Sequence, residues 1–322
     1  MKAAILYSAD SVPVYGDFDP PVPGEGYEIV DLVAAGIHHV TRSVAVGRHY
    51  STDGVFPVIP GLNAVARTAD GALVFTASAP PPYGTFAEFI SSPDAMRFPL
   101  PEGASPEAVA AGVNPGMGSW LPLTARKAES GKLGTVLILG VTGMTGYLAA
   151  QNARLCGAAR VIGAGRSAAG LDRAASVGTA TLVLRGDRDA DAAAFTAALD
   201  GDAPDLVLDF VWGPVAETAF HALARQGARE DSADIKYVQI GALAGLDAAV
   251  PSALLRSRKI TISGSGAGSV RAADIRTEIP AYIELIADRK VDVPYRTFPL
   301  SEAGAAWTAS AQSGPRVVLV PA

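Results

Sequence analysis

The sequence predicts an α/β protein that combines a β-rich segment with a doubly wound parallel sheet flanked by helices. Three observations lead to this fold class. Short apolar runs separated by Pro and Gly clusters fill the first hundred-odd residues. From Thr135 onward, continuous apolar runs alternate with amphipathic stretches, which is typical of parallel strands covered by helices on both faces. From about Arg276 this alternation stops, and a short tail of different texture follows.

The β-rich segment contains apolar runs that predict strands over Glu28–Ala34, Ala72–Ala77 and Phe86–Ile90. The first helix is expected to begin near Ser105. The run Ser105-Pro106-Glu107 offers an N-cap hydroxyl, a proline at the first helical position and an early acid, which together are typical of a helix start.

From Thr135 the chain repeats a strand followed by a helix. Strands are predicted over Val136–Leu139, Arg160–Ala164, Thr181–Leu184, Leu206–Phe210, Tyr237–Ile240 and Lys259–Ser263. Helices between them are predicted over Met144–Cys156, Ala168–Ser176, Ala190–Leu199, Pro214–Arg225 and Val250–Arg256. Strands that alternate with helices in this way indicate a doubly wound sheet.

The tail is predicted to contain one helix and two strands. The helix is expected over Glu278–Asp288, and the strands over Arg296–Pro299 and Val317–Val320. A tail of this length is too short to fold alone. We therefore expect it to return to the amino-terminal segment and pack there.

The composition narrows the classes of function. The net charge of −6 and the lack of a dense Lys/Arg run argue against a nucleic-acid partner. Cys156 is the only cysteine, so an internal disulfide and a four-cysteine zinc site are both excluded. No apolar stretch reaches about 18 residues, and the start does not resemble a signal peptide, so a cytoplasmic protein without a membrane span is expected.

A glycine turn, Gly140-Val141-Thr142-Gly143-Met144-Thr145-Gly146, stands between an apolar strand and a helix. Free N–H groups and the positive end of the dipole at such a helix start bind a pyrophosphate. The candidate cofactor-binding residues here are Gly140, Thr142, Gly143, Met144 and Thr145. The alternative is a tight strand-to-helix turn that binds no ligand.

The end of the next strand predicts which dinucleotide is bound. An acid at this place bonds a ribose 2′-hydroxyl and favours NAD, but the run Gly163–Ser167 contains none. Arg166 can form a forked contact with a 2′-phosphate, and Ser167 can donate a further hydrogen bond to it. Gly165 precedes them as a candidate cofactor-binding residue, and Arg173 could assist in binding the phosphate. The sequence therefore predicts NADPH. The alternative is an ordinary solvated arginine.

Three later turns are candidates for the same site, because ligands of doubly wound sheets bind outside the carboxyl ends of the strands. Each follows a predicted strand, and each could equally be a plain turn. Their candidate cofactor-binding residues are Val211, Trp212, Gly241, Ala242, Gly264 and Ser265.

Taken with these turns, further motifs make the chain resemble the zinc-free, quinone oxidoreductase branch of the medium-chain dehydrogenase/reductase superfamily. The motifs are Lys2-Ala3-Ala4, Ala35-Gly36-Ile37, Pro60-Gly61, Gly84–Phe89, Pro99-Leu100-Pro101 and the closing Arg316–Pro321. The resemblance implies a GroES-like catalytic domain over 1–112 and 276–322, and a Rossmann NADPH-binding domain over 113–275. It also implies a homodimer that reduces quinones, enones or enoyl thioesters.

The sequence departs from the zinc-dependent relatives at the metal ligands. Those relatives place a cysteine where this chain has His38, and His-Glu where it has Leu62-Asn63. Leucine cannot ligate zinc, so no metal is expected. His38 and His39 are expected on an extended strand, where they would point to opposite faces and chelate poorly. Asn63 is expected to bond local backbone.

The candidate catalytic residues are His38 and Tyr50, and water is a third possible proton source. The resemblance puts His38 where relatives carry an asparagine that faces the nicotinamide. It also makes Ser119, near Asn114, a candidate cofactor-binding residue, because relatives carry a hydroxyl there near the nicotinamide half. The expected reaction is hydride transfer from NADPH to a quinone or an α,β-unsaturated carbonyl. The alternatives are an enoyl or alkenal reductase of a biosynthetic pathway and a non-catalytic NADPH-binding sensor.

Overall fold

The computed structural model describes residues 1–52, 54–77, 80–224, 232–266 and 268–322. The chain divides into two compact units: Met1–Pro115 with Ile275–Ala322, and Gly116–Asp274. The sequence-based division placed its breaks after residues 112 and 275. Each unit is described by itself below.

The first unit begins with short strands. They are β1 (Lys2–Ile5), β2 (Val14–Asp17), β3 (Tyr27–Gly36), β4 (Asn63–Arg67), β5 (Leu73–Ala77), β6 (Phe89–Pro93) and β7 (Phe98–Pro99), with helix α1 (His39–Ala45) after β3 and a 3₁₀ turn at Asp94–Met96. The predicted strand Phe86–Ile90 is wrong in its first half. The Phe86 N–H donates to the Pro60 carbonyl at 3.0 Å, because this stretch crosses toward β1 before β6 begins.

Helix α2 (Pro106–Ser130) begins where the sequence predicted it. The Ser105 hydroxyl accepts a hydrogen bond from the Ala108 N–H at 3.1 Å, and the Ser105 carbonyl accepts the Val109 N–H at 3.1 Å. Pro106 takes the first helical position, where its missing N–H costs no hydrogen bond. The division between the two units falls within this helix.

The second unit contains a parallel sheet. Its strands are β8 (Thr135–Leu139), β9 (Arg160–Gly165), β10 (Ala180–Val183), β11 (Leu206–Asp209), β12 (Ile235–Gln239) and β13 (Ile260–Gly264). Its helices are α3 (Met144–Leu155), α4 (Ala168–Ser176), α5 (Arg188–Leu199), α6 (Gly213–Leu223) and α7 (Ser252–Ser257). Within the described residues the strand order is β10-β9-β8-β11-β12-β13, and every pairing is parallel. The predicted doubly wound sheet is confirmed; Arg225, the last residue of one predicted helix, lies outside the described residues.

Strand β8 shows why a continuous apolar run predicts a central parallel strand. Val136 and Ile138 lie in one hydrophobic cluster, whereas Leu137 and Leu139 lie in another. All four are buried, because side chains alternate between the two faces and helices cover both.

The tail adds helix α8 (Ala272–Ala287), strand β14 (Tyr295–Pro299), a 3₁₀ turn at Leu300–Glu302, helix α9 (Ala303–Ala309) and strand β15 (Arg316–Val320). Strand β15 pairs antiparallel with β3 and parallel with β14, in the order β14-β15-β3-β4-β5-β7, and β6 also pairs with β3. Trp307 and Leu319 share one hydrophobic cluster with Ala3 and Leu6. The tail therefore packs on the amino-terminal segment, although its helix begins six residues before the predicted Glu278.

Within the described residues, no helix combines the length and the apolar character needed to cross a membrane.

Candidate functional site

The glycine turn after β8 forms a helix start without a side-chain cap. Gly140 has a left-handed φ of +90°, and the N–H groups of Gly140 and Val141 donate to the Ala164 carbonyl at 2.9 and 3.1 Å. Gly143 is the N-cap of α3 and supplies no side chain to cap it. The first-turn N–H groups at Met144–Gly146 therefore have no partner from within the helix, which leaves them available to an anion.

The last two glycines of this turn differ in their surroundings. A Cβ added at Gly146 would lie 2.3 Å from the Gly140 carbonyl oxygen and 2.6 Å from the Val141 Cα, so helix and strand pack too closely for any side chain there. A Cβ added at Gly143 would meet nothing closer than the Gly140 carbonyl oxygen at 3.8 Å. The space in front of Gly143 is open, as a cradle for a phosphate requires.

Thr142 joins this turn to the one that follows β9. A Cβ added at Gly165 would lie 2.3 Å from Thr142 Cγ2, and one added at Gly170 would lie 2.5 Å from Thr142 Cβ. The Arg173 Nη2 donates to the Thr142 carbonyl at 3.0 Å, and its guanidinium lies 5.1 Å from the centroid of the Tyr147 ring. Arg173 thus holds the glycine turn in place.

Arg166 and Ser167 lie at the start of α4, directly after β9. Ser167 is the N-cap, and its hydroxyl accepts the Gly170 N–H at 3.3 Å. Arg166 is exposed. A cation at a helix start is electrostatically unfavourable unless an anion lies beside it.

The turn after β11 is organised by Asp209, a residue that the sequence reasoning missed. Its buried carboxylate accepts the N–H groups of Val211 and Trp212, each at 2.8 Å, and the Tyr237 hydroxyl at 2.5 Å. Burial raises the pKa of Asp209, and burial together with this carboxylate raises the pKa of Tyr237 well above its usual value. The available signal was an acid that ends an otherwise apolar strand.

The turns after β12 and β13 lie at the same edge of the sheet. The Gly241 N–H donates to the Asp209 carbonyl at 3.1 Å, and a Cβ at Gly241 would lie 2.5 Å from the Phe210 carbonyl oxygen. The Ser265 N–H donates to the Gln239 carbonyl at 2.8 Å, beside Gly264 at the end of β13, and half-buried Ala242 follows Gly241. The parallel sheet therefore brings together the candidate residues that follow its strands, because all carboxyl ends of parallel strands meet at one edge.

Ser119 lies on α2, and a Cβ added at the neighbouring Gly118 would lie 3.4 Å from Ile240 Cγ2, which directly follows β12. Ser119 is fully buried, its hydroxyl donates to the Gly116 carbonyl at 3.0 Å, and it accepts the Asn152 side-chain amide at 2.9 Å. Both of these hydrogen bonds of the Ser119 hydroxyl are to other residues of the chain. The structure thus places Ser119 where it joins α2 to α3.

His38 in the first unit is a buried imidazole. Only 2% of it is exposed, and neither ring nitrogen makes a well-formed hydrogen bond among the described residues. The Arg316 Nη1 donates to the Ile37 carbonyl at 3.2 Å. Burial and this nearby cation hold the pKa of His38 well below its usual value, and the Ala110 carbonyl opposes that shift only weakly. The expected pair of histidines on one strand is wrong: His38 is extended, but His39 is the first residue of α1.

The remaining candidates in the first unit have different environments. Tyr50 is 73% exposed, and its ring lies 4.2 Å from that of His49 between centroids. The expectation that Asn63 bonds local backbone is wrong, since its side-chain oxygen accepts the Asn114 amide at 2.7 Å across 51 residues. Over the part of the chain that the structure describes, no three His, Cys, Asp or Glu side chains are grouped as metal ligands.

Comparison with known proteins identifies relatives across the whole chain. A family model described as zinc-binding dehydrogenase matches residues 145–288. The probable NADPH-dependent quinone reductase tdiC of Emericella nidulans is 28% identical over an alignment of 362 residues that covers 100% of each chain.

Solved structures give the same picture. The quinone oxidoreductase of Thermus thermophilus, also solved in complex with NADPH, is 26% identical with a TM-score of 0.78, over 99% of this chain and 100% of its own. A probable oxidoreductase of Mycobacterium abscessus is 25% identical with a TM-score of 0.76, over 100% of this chain and 99% of its own. Together with the glycine turn and the sheet order, these matches make the chain similar to quinone oxidoreductases of the medium-chain dehydrogenase/reductase superfamily.

Proposed function

We propose that this chain binds NADPH at the carboxyl edge of its parallel sheet and transfers the hydride, without a metal, to a quinone or an α,β-unsaturated carbonyl compound. The observation that carries the proposal is the uncapped start of α3 at Gly143, after β8, together with the exposed cation Arg166 after the neighbouring strand β9. The relatives named as an NADPH-dependent quinone reductase and as a quinone oxidoreductase complexed with NADPH support it.

The residues present fit the pyrophosphate of a dinucleotide. The N–H groups at the start of α3 and the positive end of its dipole attract negative charge. Gly143 leaves open space in front of them, and Gly146 lets the helix approach the strand. Met144 and Thr145 would hold the phosphates through their backbone N–H groups, and Thr142 supports the turn from behind.

The corner after β9 fits a 2′-phosphate. Arg166 is exposed there with no acid in the run Gly163–Ser167 to bond a ribose hydroxyl instead. A guanidinium can donate two parallel hydrogen bonds to a phosphate, and its positive charge attracts the negative phosphate. The 2′-hydroxyl of NADH is neutral and gains no such attraction. These features favour NADPH over NADH.

The side chains at the positions of the expected metal ligands support a reaction without zinc. Leu62 occupies a position where the resemblance places a metal ligand, and the one cysteine, Cys156, is buried far along the chain from His38. Leucine offers no lone pair to a metal. The segment that matches the zinc-binding dehydrogenase model, residues 145–288, does not include His38, Leu62 or Asn63.

Hydride arriving at a conjugated acceptor leaves negative charge on the former carbonyl oxygen, and one proton completes the reduction. NADPH supplies the hydride when bound. The protein must stabilise the charge and deliver the proton. His38 and Tyr50 remain the proposed catalytic residues. Because its pKa is lowered, His38 would act as a neutral hydrogen-bond donor, so we assign proton delivery to exposed Tyr50 or to water.

We further propose, from the family alone, that the protein is a cytoplasmic homodimer. Sedimentation of the purified protein checks the oligomeric state: a monomer at working concentration would contradict it.

The first experiment mixes the purified protein with NADPH or NADH and follows consumption of the reduced nicotinamide over quinones, alkenals, enones and enoyl thioesters. Turnover with NADPH and a quinone or simple enone is the expected result. Faster turnover of enoyl thioesters would favour the biosynthetic reductase. NADPH binding without turnover of any acceptor would indicate a sensor, and no binding of either cofactor would overturn the proposal.

Replacing Arg166 tests the choice of cofactor. Loss of a hydrogen bond to a charged group costs about 1.5 kcal/mol or more, so Arg166→Ala should raise the KM for NADPH about tenfold. The KM for NADH should stay within about twofold. Arg188→Ala is the matched control, because Arg188 is also an exposed arginine at a helix start, that of α5. An equal loss with both cofactors would remove Arg166 from the 2′-phosphate site.

A further inference from the structure

The carboxylate of Asp209 accepts hydrogen bonds from the turn after its own strand, β11, and from the neighbouring strand, β12. Oδ1 accepts both backbone N–H groups of the following turn, from Val211 and Trp212, at 2.8 Å each. Oδ2 accepts the hydroxyl of Tyr237, 28 residues further along on β12, at 2.5 Å. All three bonds are buried or half-buried, so solvent does not replace them easily.

The turn that this carboxylate holds is strained. Trp212 has φ +55° and ψ −157°, a combination that only glycine adopts without cost. Such a backbone persists only where its surroundings enforce it. Here Asp209 binds the Trp212 N–H, and the indole packs edge-on against Phe220 and Tyr237, with centroids 5.8 and 6.2 Å apart.

The same turn borders the glycine turn after β8. A Cβ added at Gly140 would lie 2.8 Å from Val211 Cγ1, so the two turns pack directly against each other. The Asp209 carbonyl also accepts the N–H groups of Ile240 and Gly241, at 2.7 and 3.1 Å. Asp209 therefore bonds two turns of the edge where the cofactor is proposed to bind, and one of these turns packs against the glycine turn through Val211.

We infer that Asp209 and Tyr237 form a positioning pair that fixes the strained Val211–Trp212 backbone in the conformation the dinucleotide requires. This inference rests on the proposed function, because it assigns the pair to the same cofactor site. The pair acts through geometry. An asparagine at 209 could accept the two N–H groups through its oxygen and donate to the Tyr237 oxygen through its amide, and so reproduce the arrangement.

The test compares NADPH affinity, by calorimetry, in full-length Asp209→Ala, Asp209→Asn and Tyr237→Phe. Asp209→Ala should raise the Kd for NADPH about tenfold or more, which corresponds to about 1.4 kcal/mol. Asp209→Asn should stay within about threefold of wild type, and Tyr237→Phe should fall between the two. With a working acceptor, the KM for NADPH should rise while the KM for the acceptor changes less than about twofold.

Asp205→Ala is the matched control. Asp205 directly precedes the same strand, β11, at its amino end, and its Oδ2 accepts the Thr135 N–H at 2.8 Å. This variant should lower the melting temperature and leave the Kd for NADPH unchanged. If Asp209→Ala does not fold, Tyr237→Phe with the Asn variant carries the comparison.

Three outcomes overturn the inference. In the first, Asp209→Ala or Tyr237→Phe binds NADPH as tightly as wild type. In the second, Asp205→Ala weakens NADPH binding as much as Asp209→Ala does, which would mean that the loss of affinity reflects general destabilisation. In both cases wild type still binds NADPH and the proposed function stands. A wild-type protein that binds no NADPH overturns the proposed function and this inference together.

Discussion

At the scale of single residues, His38 shows how surroundings determine chemistry. Both ring nitrogens are buried without well-formed hydrogen bonds among the described residues, and so is the hydroxyl oxygen of Thr41 on α1. Burial lowers the pKa of Arg316 only to about 10, so its guanidinium remains charged at neutral pH. Protonating His38 would add a second unsolvated cation to this region, which keeps the imidazole neutral.

The neutrality of His38 predicts how stability depends on pH. Its pKa in the folded state lies below the ordinary 6.5, so below pH 6.5 the unfolded chain binds a proton that the folded chain does not. Stability should therefore fall as the pH drops from 6.5, by up to about 1.4 kcal/mol per pH unit. Urea unfolding between about pH 5 and 7.5 measures this slope.

The contribution of His38 is isolated by substitution. His38→Gln should reduce the slope below pH 6.5. A smaller slope should remain, because burial also lowers the pKa values of His39 and His49. His221→Gln, on the exposed side of α6, should leave the slope unchanged. Equal slopes in wild type and His38→Gln would mean that the folded protein accommodates the charged imidazole.

At the scale of elements, the start of α3 separates two requirements that one sequence motif combines. Gly146 lets the helix pack on the strand, whereas Gly143 leaves open the space in front of the helix start. Stability and binding should therefore respond differently to the same added methyl group.

Alanine substitution at the two glycines tests this separation. Gly146→Ala places a methyl 2.3 Å from a backbone oxygen and should cost about 1–3 kcal/mol of stability, with loss of NADPH binding. Gly143→Ala, at φ −81°, should melt within a few degrees of wild type yet bind NADPH about tenfold more weakly. Thermal melts and calorimetry give both values. Unchanged affinity in Gly143→Ala would place the phosphates elsewhere.

The elements also show which structure a sequence can predict. In the second unit, the inner strands β8, β9 and β11 are buried along almost their whole length, so their apolar runs mark them almost to the residue. In the first unit β2 is largely exposed and α1 has only seven residues with no side-chain cap, so neither carries a comparable signal. These short elements are held by tertiary packing, which no local pattern encodes.

The candidate site was predictable to the same extent. Turns that follow buried strands could be assigned to one edge, because parallel topology brings their carboxyl ends together. The bond between Asp209 and Tyr237 could not be predicted, since it joins residues on neighbouring strands that are 28 positions apart. The burial of Ser119 was hidden for the same reason, because Asn152 lies 33 positions away.

At the scale of the whole molecule, the chain forms one unit from its two ends and the other from its middle. The last strand, β15, pairs with β3, so the strands of the first unit come from both sides of the second unit in the sequence. Ligand binding to the second unit can therefore be followed separately from the first by any method that resolves segments.

Hydrogen exchange with and without NADPH provides such a measurement. At about 100 times its Kd the cofactor contributes about 2.7 kcal/mol of stability. Peptides that cover residues 140–147 and 165–170 should gain the most protection, and those that cover β4 and β5 the least. Protection strongest in the first unit would contradict the assignment of the cofactor to the parallel sheet. Gly143→Ala should reduce the effect at equal cofactor concentration.

The close packing of Thr142 against Gly165 and Gly170 has a consequence for redesign. If the proposed function holds, a change of cofactor preference requires changes in the loop after β9, which contains Arg166 and Ser167. In this chain any side chain at either glycine would collide with Thr142, within 2.3 to 2.5 Å, and displace the glycine turn as well. A library that varies Arg166 and Ser167 alone, with both glycines fixed, should exchange one cofactor for the other, whereas a library over the whole loop should mostly yield proteins that bind neither.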